Sequence, residues 1–217
     1  MSPVPRVRDL VIAGWTGRNA EAVEKHIHEL AALGVPRPRR VPCFYRVSSA
    51  LLTTAEIVDV VGRETSGEVE VVLFSLEDGM WVGVGSDHTD RRTETFDITV
   101  SKQACPKPVG PRLWRYSEVA DHWDRLTLRS FAVNGPDRRL YQEGPVTHLR
   151  PPEDLIRRYT EGESRLPTST AMFCGTLPAL APVEGASGFE IQLEDPVLGR
   201  ILRHRYQVRA LPLTGAP

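Results

Sequence analysis

Hydrophobic positions near the start of the chain predict a strand followed by a helix. Residues 10–15 form a short apolar run, which is typical of a buried strand. Asn19 follows as a helix N-cap, and the predicted helix continues to Leu33, just before Gly34. Val23 and Ile27 lie four residues apart and therefore share one apolar face of that helix.

After a proline-rich basic connector over 36–40, the pattern changes to short runs of β-branched or alternating apolar residues. Asn134-Gly135 is a turn signal between two of these runs, although the linker there is longer than a two-residue hairpin. Because helices and strands do not alternate, we expect an α+β fold that is mostly β, not a βαβ array. Helices are predicted over 117–123 and 153–159, and strands over 43–47, 56–61, 68–74, 80–84, 126–133, 139–142, 171–174, 189–193 and 201–211.

Length and charge limit the classes of protein that fit. The chain has 217 residues, enough for one domain with a sizeable core, so we expect a single domain over 1–217. Residues 1–40 would supply the N-terminal strand, helix and connector, and 41–217 the β core. The formal net charge is −1, with no excess of positive charge, so neither a nucleic acid nor a membrane surface is an expected partner.

Cysteine spacing indicates a reducing compartment. Cys43, Cys105 and Cys174 are scattered, which argues against a disulfide framework and against a zinc knuckle. The apolar run over 10–13 is too short for a signal-peptide core, and no run reaches the length of a membrane span. We therefore expect a cytoplasmic protein.

Carboxylates at the end of a predicted strand suggest a metal site. Glu68 and Glu70 are two residues apart, so in a strand they share one face, which continues with apolar side chains. Their mutual repulsion would raise one pKa unless a cation lay between them. Asp87 at the end of the next strand would complete an all-oxygen set suited to Mg²⁺ or Mn²⁺, with Ca²⁺ also compatible. A solvated strand end is the alternative interpretation of the two glutamates.

Candidate proton-transfer groups lie on the first helix. His26 and Glu29 are three residues apart and could share a proton and activate a water molecule. An ordinary polar helix flank is the alternative. His88 follows Asp87 in a polar loop and is expected to be solvated.

Two cations and one turn are further candidates. Lys102 precedes a turn-rich segment, and Arg46 in a predicted strand is either paired to an acid or available to an anionic ligand. Residues 175–178 could offer backbone N–H groups and the hydroxyl of Thr176 to a substrate oxygen, or simply form a turn. No P-loop, dinucleotide-binding glycine pattern or GxSxG motif occurs in the sequence.

Taken in order along the chain, these motifs resemble the fumarylacetoacetate hydrolase superfamily, specifically a bacterial branch of its small single-domain members. The resemblance covers most of the chain. Its motifs are His26-Ile27-His28-Glu29, Phe44-Tyr45-Arg46-Val47-Ser48-Ser49, Glu68-Val69-Glu70, Gly85-Ser86-Asp87-His88-Thr89-Asp90-Arg91, Lys102 with Pro108-Val109-Gly110-Pro111, Val133-Asn134-Gly135, and Gly175-Thr176-Leu177-Pro178.

The resemblance implies a mixed β-roll of the fumarylacetoacetase C-terminal-domain type, assembled as a homodimer around a Mg²⁺ or Mn²⁺ site in each subunit. It also implies specific roles. The metal ligands would be Glu68, Glu70 and Asp87, the catalytic residues His26, Glu29 and Lys102, and the substrate-binding residues Arg46, Ser48, Arg91 and Thr176.

Several positions depart from the family pattern. Arg46 replaces the usual Lys, Leu177 displaces a Pro, the segment from Asp87 to Lys102 is short, and Glu94 lies near the place of a family Gln. These departures concern substrate recognition more than metal binding.

The activity implied by the resemblance is hydrolytic cleavage of a C–C bond in a small 2-oxo or 1,3-dicarbonyl carboxylic acid. A decarboxylase, hydratase, dehydratase or tautomerase could use the same site, because all of these reactions pass through an enolate. A non-catalytic domain that binds an organic acid is the alternative from another class.

Overall fold

Two β-sheets carry the fold in the computed structural model, which describes residues 6–32, 37–182 and 185–213. Within the first helix, the side chains of residues 26, 29, 30 and 32 lie outside the described part. The helices are α1 (Ala20–Ala32), α2 (Arg91–Glu94), α3 (Ile98–Gln103), α4 (Tyr116–Val119) and α5 (Pro152–Tyr159). The strands are β1 (Asp9–Gly14), β2 (Cys43–Val47), β3 (Leu52–Thr53), β4 (Ile57–Val61), β5 (Thr65–Ser66), β6 (Val69–Leu76), β7 (Gly79–Ser86), β8 (Thr89–Asp90), β9 (Lys107–Pro108), β10 (Trp114–Arg115), β11 (Thr127–Asn134), β12 (Asp137–Pro145), β13 (Thr170–Thr176), β14 (Gly188–Asp195) and β15 (Arg200–Leu211).

The larger sheet has the strand order β10-β7-β6-β13-β1-β2, and the second sheet the order β12-β11-β14-β15-β4. Within these two sheets, pairing is antiparallel except between β1 and β13 and between β4 and β15. The small ladders β3-β9 and β5-β8 connect the loops between these strands. The predicted α+β class with mostly β structure is confirmed. No helix in the described ranges combines the length and the apolar character needed to cross a membrane.

Strand β6 is buried on both faces, and this fixes the position of the acidic residues at its start. Val71 and Leu73 belong to the core between the sheets, together with Leu128 of β11. Val72 and Phe74 point the other way, into a second apolar cluster. Full burial of such a side chain contributes about 1.5–3 kcal/mol, so the register of β6 is strongly determined.

The hairpin between β11 and β12 corrects one expectation. Asn134 pairs with Asp137, so Gly135 and Pro136 form a two-residue loop, with Gly135 at a φ of 58°. The expected longer linker is wrong, because both strands extend beyond the apolar runs that predicted them. Polar residues can continue a ladder through backbone hydrogen bonds alone.

Two short helices, α2 and α3, occupy the segment after Asp87, for which the pattern predicted no helix. Each begins at an aspartate N-cap: Asp90 accepts a hydrogen bond from the N–H of Thr93 (2.8 Å), and Asp97 from that of Val100 (3.0 Å). Such short helices have no apolar periodicity, so only their caps could have revealed them. They place Arg91 and Lys102 beside the acidic cluster.

The start of α1 agrees with the sequence. Asn19 Oδ1 accepts hydrogen bonds from the N–H groups of Glu21 (3.0 Å) and Ala22 (3.1 Å), as expected of an N-cap. The predicted end of the helix at Leu33 and Gly34 lies outside the described residues.

Candidate metal centre

Three carboxylates meet where β6 begins and β7 ends. Glu70 lies in β6, Glu68 directly precedes that strand, and Asp87 directly follows β7. The two strands pair antiparallel, and the N–H of Asp87 donates to the backbone carbonyl of Glu68 at 2.9 Å. One oxygen from each carboxylate lies within 4.8 Å of the other two. The hairpin thus brings together residues that are separated along the chain.

Glu70 is buried beside another carboxylate and forms no ion pair within the described part of the chain. Burial and the negative charge of Asp87 raise the pKa of Glu70 well above its usual range. Its Oε2 accepts a hydrogen bond of 2.6 Å from the N–H of Gly175. The charge of Lys102 favours the ionised form of Glu70 but does not offset burial and the neighbouring Asp87.

Gly175 can make that contact because the β13 ladder is irregular between Phe173 and Thr176. Its φ is 99°, and a Cβ built at this position would lie 1.7 Å from Thr16 Oγ1. Only glycine fits such a conformation and such close packing. The irregularity aims a backbone donor at Glu70.

Asp87 is buried between two lysines. Burial alone would raise its pKa, but Lys102 and Lys107 lower the pKa of this carboxyl below its usual range. Lys102 Nζ donates a short hydrogen bond to Asp87 Oδ2. Lys107 Nζ lies 3.2 Å from Asp87 Oδ1, at ion-pair distance, yet Oδ1 accepts no hydrogen bond from the described residues.

Glu68 completes the cluster from its more open side. Arg91 donates a hydrogen bond of 2.9 Å to Glu68 Oε1, and Lys102 Nζ lies 3.8 Å from Oε2. Arg91 also contacts Ser66 Oγ (2.6 Å) and Glu94 (2.8 Å), so its planar fork is fixed. Burial alone would lower the pKa of Arg91, but Glu68 and Glu94 raise it above its usual range.

These observations fit a hard divalent cation. All three ligands are carboxylates, the donors that Mg²⁺ and Mn²⁺ prefer, and Asp87 Oδ1 is a buried acceptor without a hydrogen bond. Glu70 is the member of the cluster whose negative charge its surroundings disfavour, because its pKa is raised while that of Asp87 is lowered. The residues that would hold the metal are thus Glu68, Glu70 and Asp87.

His88 lies in a polar network behind the cluster, not in solvent. It is fully buried, with Nδ1 3.1 Å from Tyr206 Oη and Nε2 2.9 Å from Thr65 Oγ1. Tyr206 Oη also contacts Ser86 Oγ at 2.8 Å. Burial and the charge of Lys107 lower the pKa of His88 to about 3, so the ring is neutral. The expectation of a solvated His88 is wrong, because β5 and β15 cover the loop.

A cavity of about 1280 Å³ opens onto the cluster. Its lining includes two of the carboxylates, Glu68 and Glu70, and the cations Lys102 and Arg91. Thr176, at the end of β13, also lines it. The structure thus brings all three predicted metal ligands, the predicted catalytic residue Lys102 and two predicted substrate-binding residues into one region. The dimensions are those of a small-molecule site.

The predicted proton-transfer pair lies on α1. The side chains of His26 and Glu29 are outside the described residues, so their water-activating role stays a prediction. Ala22 and Val23, one turn earlier on the same helix, line the cavity. His28 is exposed, and its Nδ1 lies 2.9 Å from the carbonyl oxygen of Glu24.

Arg46 and Ser48 do not line the cavity. The Arg46 side chain is 59% exposed and forms an ion pair with Asp9, because alternation along β2 turns Tyr45 toward the cavity and Arg46 away from it. Ser48 Oγ accepts a hydrogen bond from the N–H of Ala50 at 3.3 Å and caps a 3₁₀ turn.

Thr176 contacts the cavity wall, but its hydroxyl proton is already used. Oγ1 donates to the carbonyl of Val69 (2.9 Å) and accepts from Gln142 Nε2 (2.8 Å). Gln142 Oε1 in turn accepts from the N–H of Val69 (3.0 Å). Through these hydrogen bonds, the Thr176 hydroxyl of β13 connects this strand to β6 and to β12 beside the cluster.

Sequence reasoning missed Lys107 and Gln142. Lys107 is fully buried and donates to the carbonyl oxygens of His88 (2.7 Å) and Cys105 (3.1 Å), yet in the sequence it is a cation within a proline-rich turn. Gln142 was part of a predicted strand, and a polar residue at its inward position was the available signal. Without the three-dimensional structure, neither a lysine nor a glutamine at these positions indicates a role at the site.

A family model described as a protein of unknown function, DUF2848, matches residues 13–206. The chain belongs to the DUF2848 family. Among curated proteins, none matches this DUF2848 sequence.

Solved structures share the fold of this DUF2848 protein. One is a 2-keto-3-deoxy-D-arabinonate dehydratase complexed with magnesium and 2,5-dioxopentanoate, with a TM-score of 0.63 and 17% identity, covering 95% of this chain and 75% of that one. Another is a candidate fumarylpyruvate hydrolase from Burkholderia cenocepacia, with a TM-score of 0.63 and 18% identity, covering 95% and 86%.

A candidate fumarylacetoacetate hydrolase family protein from Yersinia pestis CO92 has a TM-score of 0.64 and 15% identity, covering 94% of this chain and 93% of that one. These structures share the fold that the motif resemblance implies. The narrower placement among small single-domain members, and a single domain over 1–217, stay predictions.

Proposed function

We propose that this DUF2848 protein is a divalent-metal-dependent enzyme that hydrolyses a C–C bond in a small 2-oxo or 1,3-dicarbonyl carboxylic acid. The observation that carries the proposal is the convergence of Glu68, Glu70 and Asp87 within 4.8 Å, with Glu68 and Glu70 in the wall of a cavity. The fold shared with a candidate fumarylpyruvate hydrolase supports it. Mg²⁺ or Mn²⁺, when bound, would polarise the oxygens of such an acid as a Lewis acid.

The residues of the chain have separate tasks in this reaction. Water adds its hydroxyl to the carbonyl carbon, the C–C bond breaks, and the bonding electrons leave as an enolate that then takes up a proton. Lys102 remains a cation beside the cavity, because Asp87 and Glu68 raise its pKa although burial alone would lower it. A fixed ammonium group stabilises the developing oxyanion. His26 and Glu29 are the proposed pair that takes the proton from water.

Two other side chains position the carboxylates of the cluster. Arg91 holds Glu68 through a hydrogen bond of 2.9 Å, while Lys107 lies against Asp87. Such neighbours orient metal ligands and maintain their charge. Arg46 has no task here, because it lies away from the cavity.

Dehydration is the second candidate reaction. The magnesium-bound dehydratase has the same TM-score as the candidate hydrolase, 0.63, so the fold does not favour one over the other. The two reactions differ in their products, since hydrolysis yields two smaller molecules and dehydration retains the carbon skeleton. A homodimer in the cytoplasm, acting on a small organic acid, completes the proposal.

The deciding experiment begins with metal analysis of the purified protein. Oxaloacetate, acylpyruvates and 3-deoxy-2-oxo sugar acids are then tested with Mg²⁺ or Mn²⁺, and again with chelator, with products identified by mass. We expect turnover that chelator abolishes. Binding of these acids without turnover would instead favour an organic-acid-binding domain.

Glu70→Gln tests the ligand set directly. The amide lacks the negative charge that the Glu70 carboxylate offers to a hard cation, so we expect both metal binding and turnover to be lost. Glu161→Gln is the control for metal binding, because Glu161 is an exposed glutamate that does not line the cavity. Retained metal-dependent turnover in Glu70→Gln would reject the assignment.

A further inference from the structure

Much of the remaining cavity lining is apolar. Trp15, Val23 and Leu177 contribute to it, together with Pro178 and Ala179. These walls come from the loop after β1, from α1 and from the segment after β13. They are continuous, because a Cβ at Gly17 would lie 2.5 Å from Val23 Cγ2 and one at Gly175 would lie 1.7 Å from Thr16.

Basic groups of the described lining are engaged within the protein. Lys102 and Arg91 are paired to the cluster carboxylates. Arg18 donates to both carboxylate oxygens of Asp124 (2.8 and 3.2 Å) and to the carbonyl of Leu149 (3.0 Å). The remaining basic lining residue, His148, is an exposed side chain.

The acidic lining residue Glu94 takes up a further contact of the Arg91 guanidinium, so this arginine is not available to a second anion. Arg46, which the motif resemblance assigned to a substrate carboxylate, points to the other side of β2 toward Asp9. A carboxylate at the far end of a ligand would lose water without gaining a buried cation.

We propose, building on the proposed function, that the substrate carries one carboxylate at the metal cluster and an uncharged, largely hydrocarbon substituent against Trp15, Val23 and Leu177. The substrate class is thus a 2-oxo or 1,3-dicarbonyl monocarboxylic acid, not a dicarboxylic one. Each methylene that leaves water for this wall favours binding, whereas an unpaired carboxylate opposes it.

The test uses the full chain with Mg²⁺ or Mn²⁺ and three probes measured by titration calorimetry. Oxalate reports the cluster alone. 5-Methyl-2-oxohexanoate and 2-oxoglutarate have the same shape, but the first ends in an isopropyl group where the second ends in a carboxylate. We expect metal-dependent oxalate binding and a Kd for the isopropyl probe about ten-fold lower than for 2-oxoglutarate.

The outcomes separate the two proposals. If oxalate binds only with metal and 2-oxoglutarate binds as tightly as its isopropyl analogue or more tightly, the inference is overturned while the metal site stands. Oxalate binding without binding of either larger probe also overturns it. If oxalate does not bind with either metal, the proposed function fails and the inference fails with it.

A charge introduced at the apolar wall locates the substituent. Ala22 lines the cavity and is exposed on α1, so Ala22→Lys should reduce the preference for the isopropyl probe by about five-fold. Ala31→Lys is the matched control, because Ala31 is an exposed position of the same helix that does not line the cavity. An equal change in both variants, or none in Ala22→Lys, overturns the placement.

Discussion

The two sides of Asp87 differ in how completely their polar groups are satisfied. On the side of the cavity, Glu70 has no positive partner among the described residues, and its pKa is raised by burial and by Asp87. On the packed side, both ring nitrogens of His88 have partners, and Lys107 donates to two carbonyl oxygens. The loop that carries Asp87 and His88 thus separates a region with a disfavoured buried charge from one in which the polar groups have hydrogen-bond partners.

The difference shows which polar residues serve binding and which serve the fold. A buried polar network is stable when each member has its hydrogen bonds, as the His88 network has. Strongly perturbed pKa values cluster at functional sites, which favours a binding role for Glu70. We therefore expect substitutions on the packed side to reduce stability, and those on the cavity side to change metal or ligand binding.

The largest effect is expected from Lys107→Met. It would leave Asp87 less compensated and two buried carbonyl groups without a donor, which should lower the free energy of unfolding by about 3–5 kcal/mol. Urea denaturation of the metal-free protein measures this. Lys102→Met should lower the free energy of unfolding by less, because Lys102 lines the cavity, where water can replace the ammonium group.

Arg157→Met, at an exposed position of α5, provides the baseline for these substitutions of a cation by methionine. We expect a change within about 0.5 kcal/mol there. A loss below about 1 kcal/mol for Lys107→Met would contradict the packed-side interpretation, as would an equal loss for Lys102→Met.

His88 makes the packed side sensitive to acid. Its pKa is 6.5 ordinarily and about 3 in the fold, so between these values the unfolded chain binds a proton that the folded chain does not. Stability therefore falls as the pH drops through 6.5 toward 3. For His88 alone, the loss between pH 7 and pH 5 is about 2 kcal/mol.

Comparison of urea denaturation at the two pH values in EDTA, for the parent protein and for His88→Gln, isolates this contribution. The glutamine does not titrate, so the loss on acidification should be about 2 kcal/mol smaller in the variant. Equal pH dependence in both proteins would show that His88 is protonated in the fold.

Glu70→Gln should stabilise the metal-free fold but abolish metal binding. Because its pKa is raised, Glu70 lowers stability as the pH rises above its ordinary value of 4.5. The amide oxygen can still accept from Gly175, so the metal-free variant should be about 1 kcal/mol more stable than the parent at pH 8.

Metal should reverse this order. Added Mg²⁺ or Mn²⁺ is expected to raise the Tm of the parent and to leave that of Glu70→Gln unchanged. A destabilised metal-free variant would indicate that the carboxylate is already compensated by the protein.

Sequence reasoning predicted the strands well where burial determines the pattern. β6 is apolar on both faces, and the two-residue period of that strand placed Glu68 and Glu70 on one side. Asp87 lies close to these glutamates because β6 and β7 pair as a hairpin. The short spacing between the two strands in the sequence is consistent with such a hairpin. These features depend on local periodicity, the strongest signal in a single sequence.

The remaining features depend on contacts between distant segments. Lys107 reaches Asp87 only because β9 pairs with β3, and Gln142 reaches Thr176 only through the packing of two sheets. The short helices α2 and α3 lack any periodic face. Such contacts have no signature in the residues themselves, since the same lysine in a turn is usually solvated.

Arg46 shows where resemblance and structure diverge, and it gives the smallest predicted effect. The resemblance assigns it to a substrate carboxylate, whereas its side chain is exposed and paired with Asp9 outside the cavity. An exposed pair contributes about 0–1 kcal/mol, so Arg46→Ala should change the free energy of unfolding by less than about 1 kcal/mol.

Its effect on ligand binding should be equally small. We expect the Kd of oxalate, and that of any substrate found, to stay within about two-fold of the parent value, because no described cavity atom depends on Arg46. Lys102→Ala is the contrast, since Lys102 lines the cavity and should weaken binding strongly. A ten-fold loss in Arg46→Ala would mean that β2 rearranges on binding to bring the guanidinium to the substrate, and the division between the cavity side and the outer face would have to be redrawn.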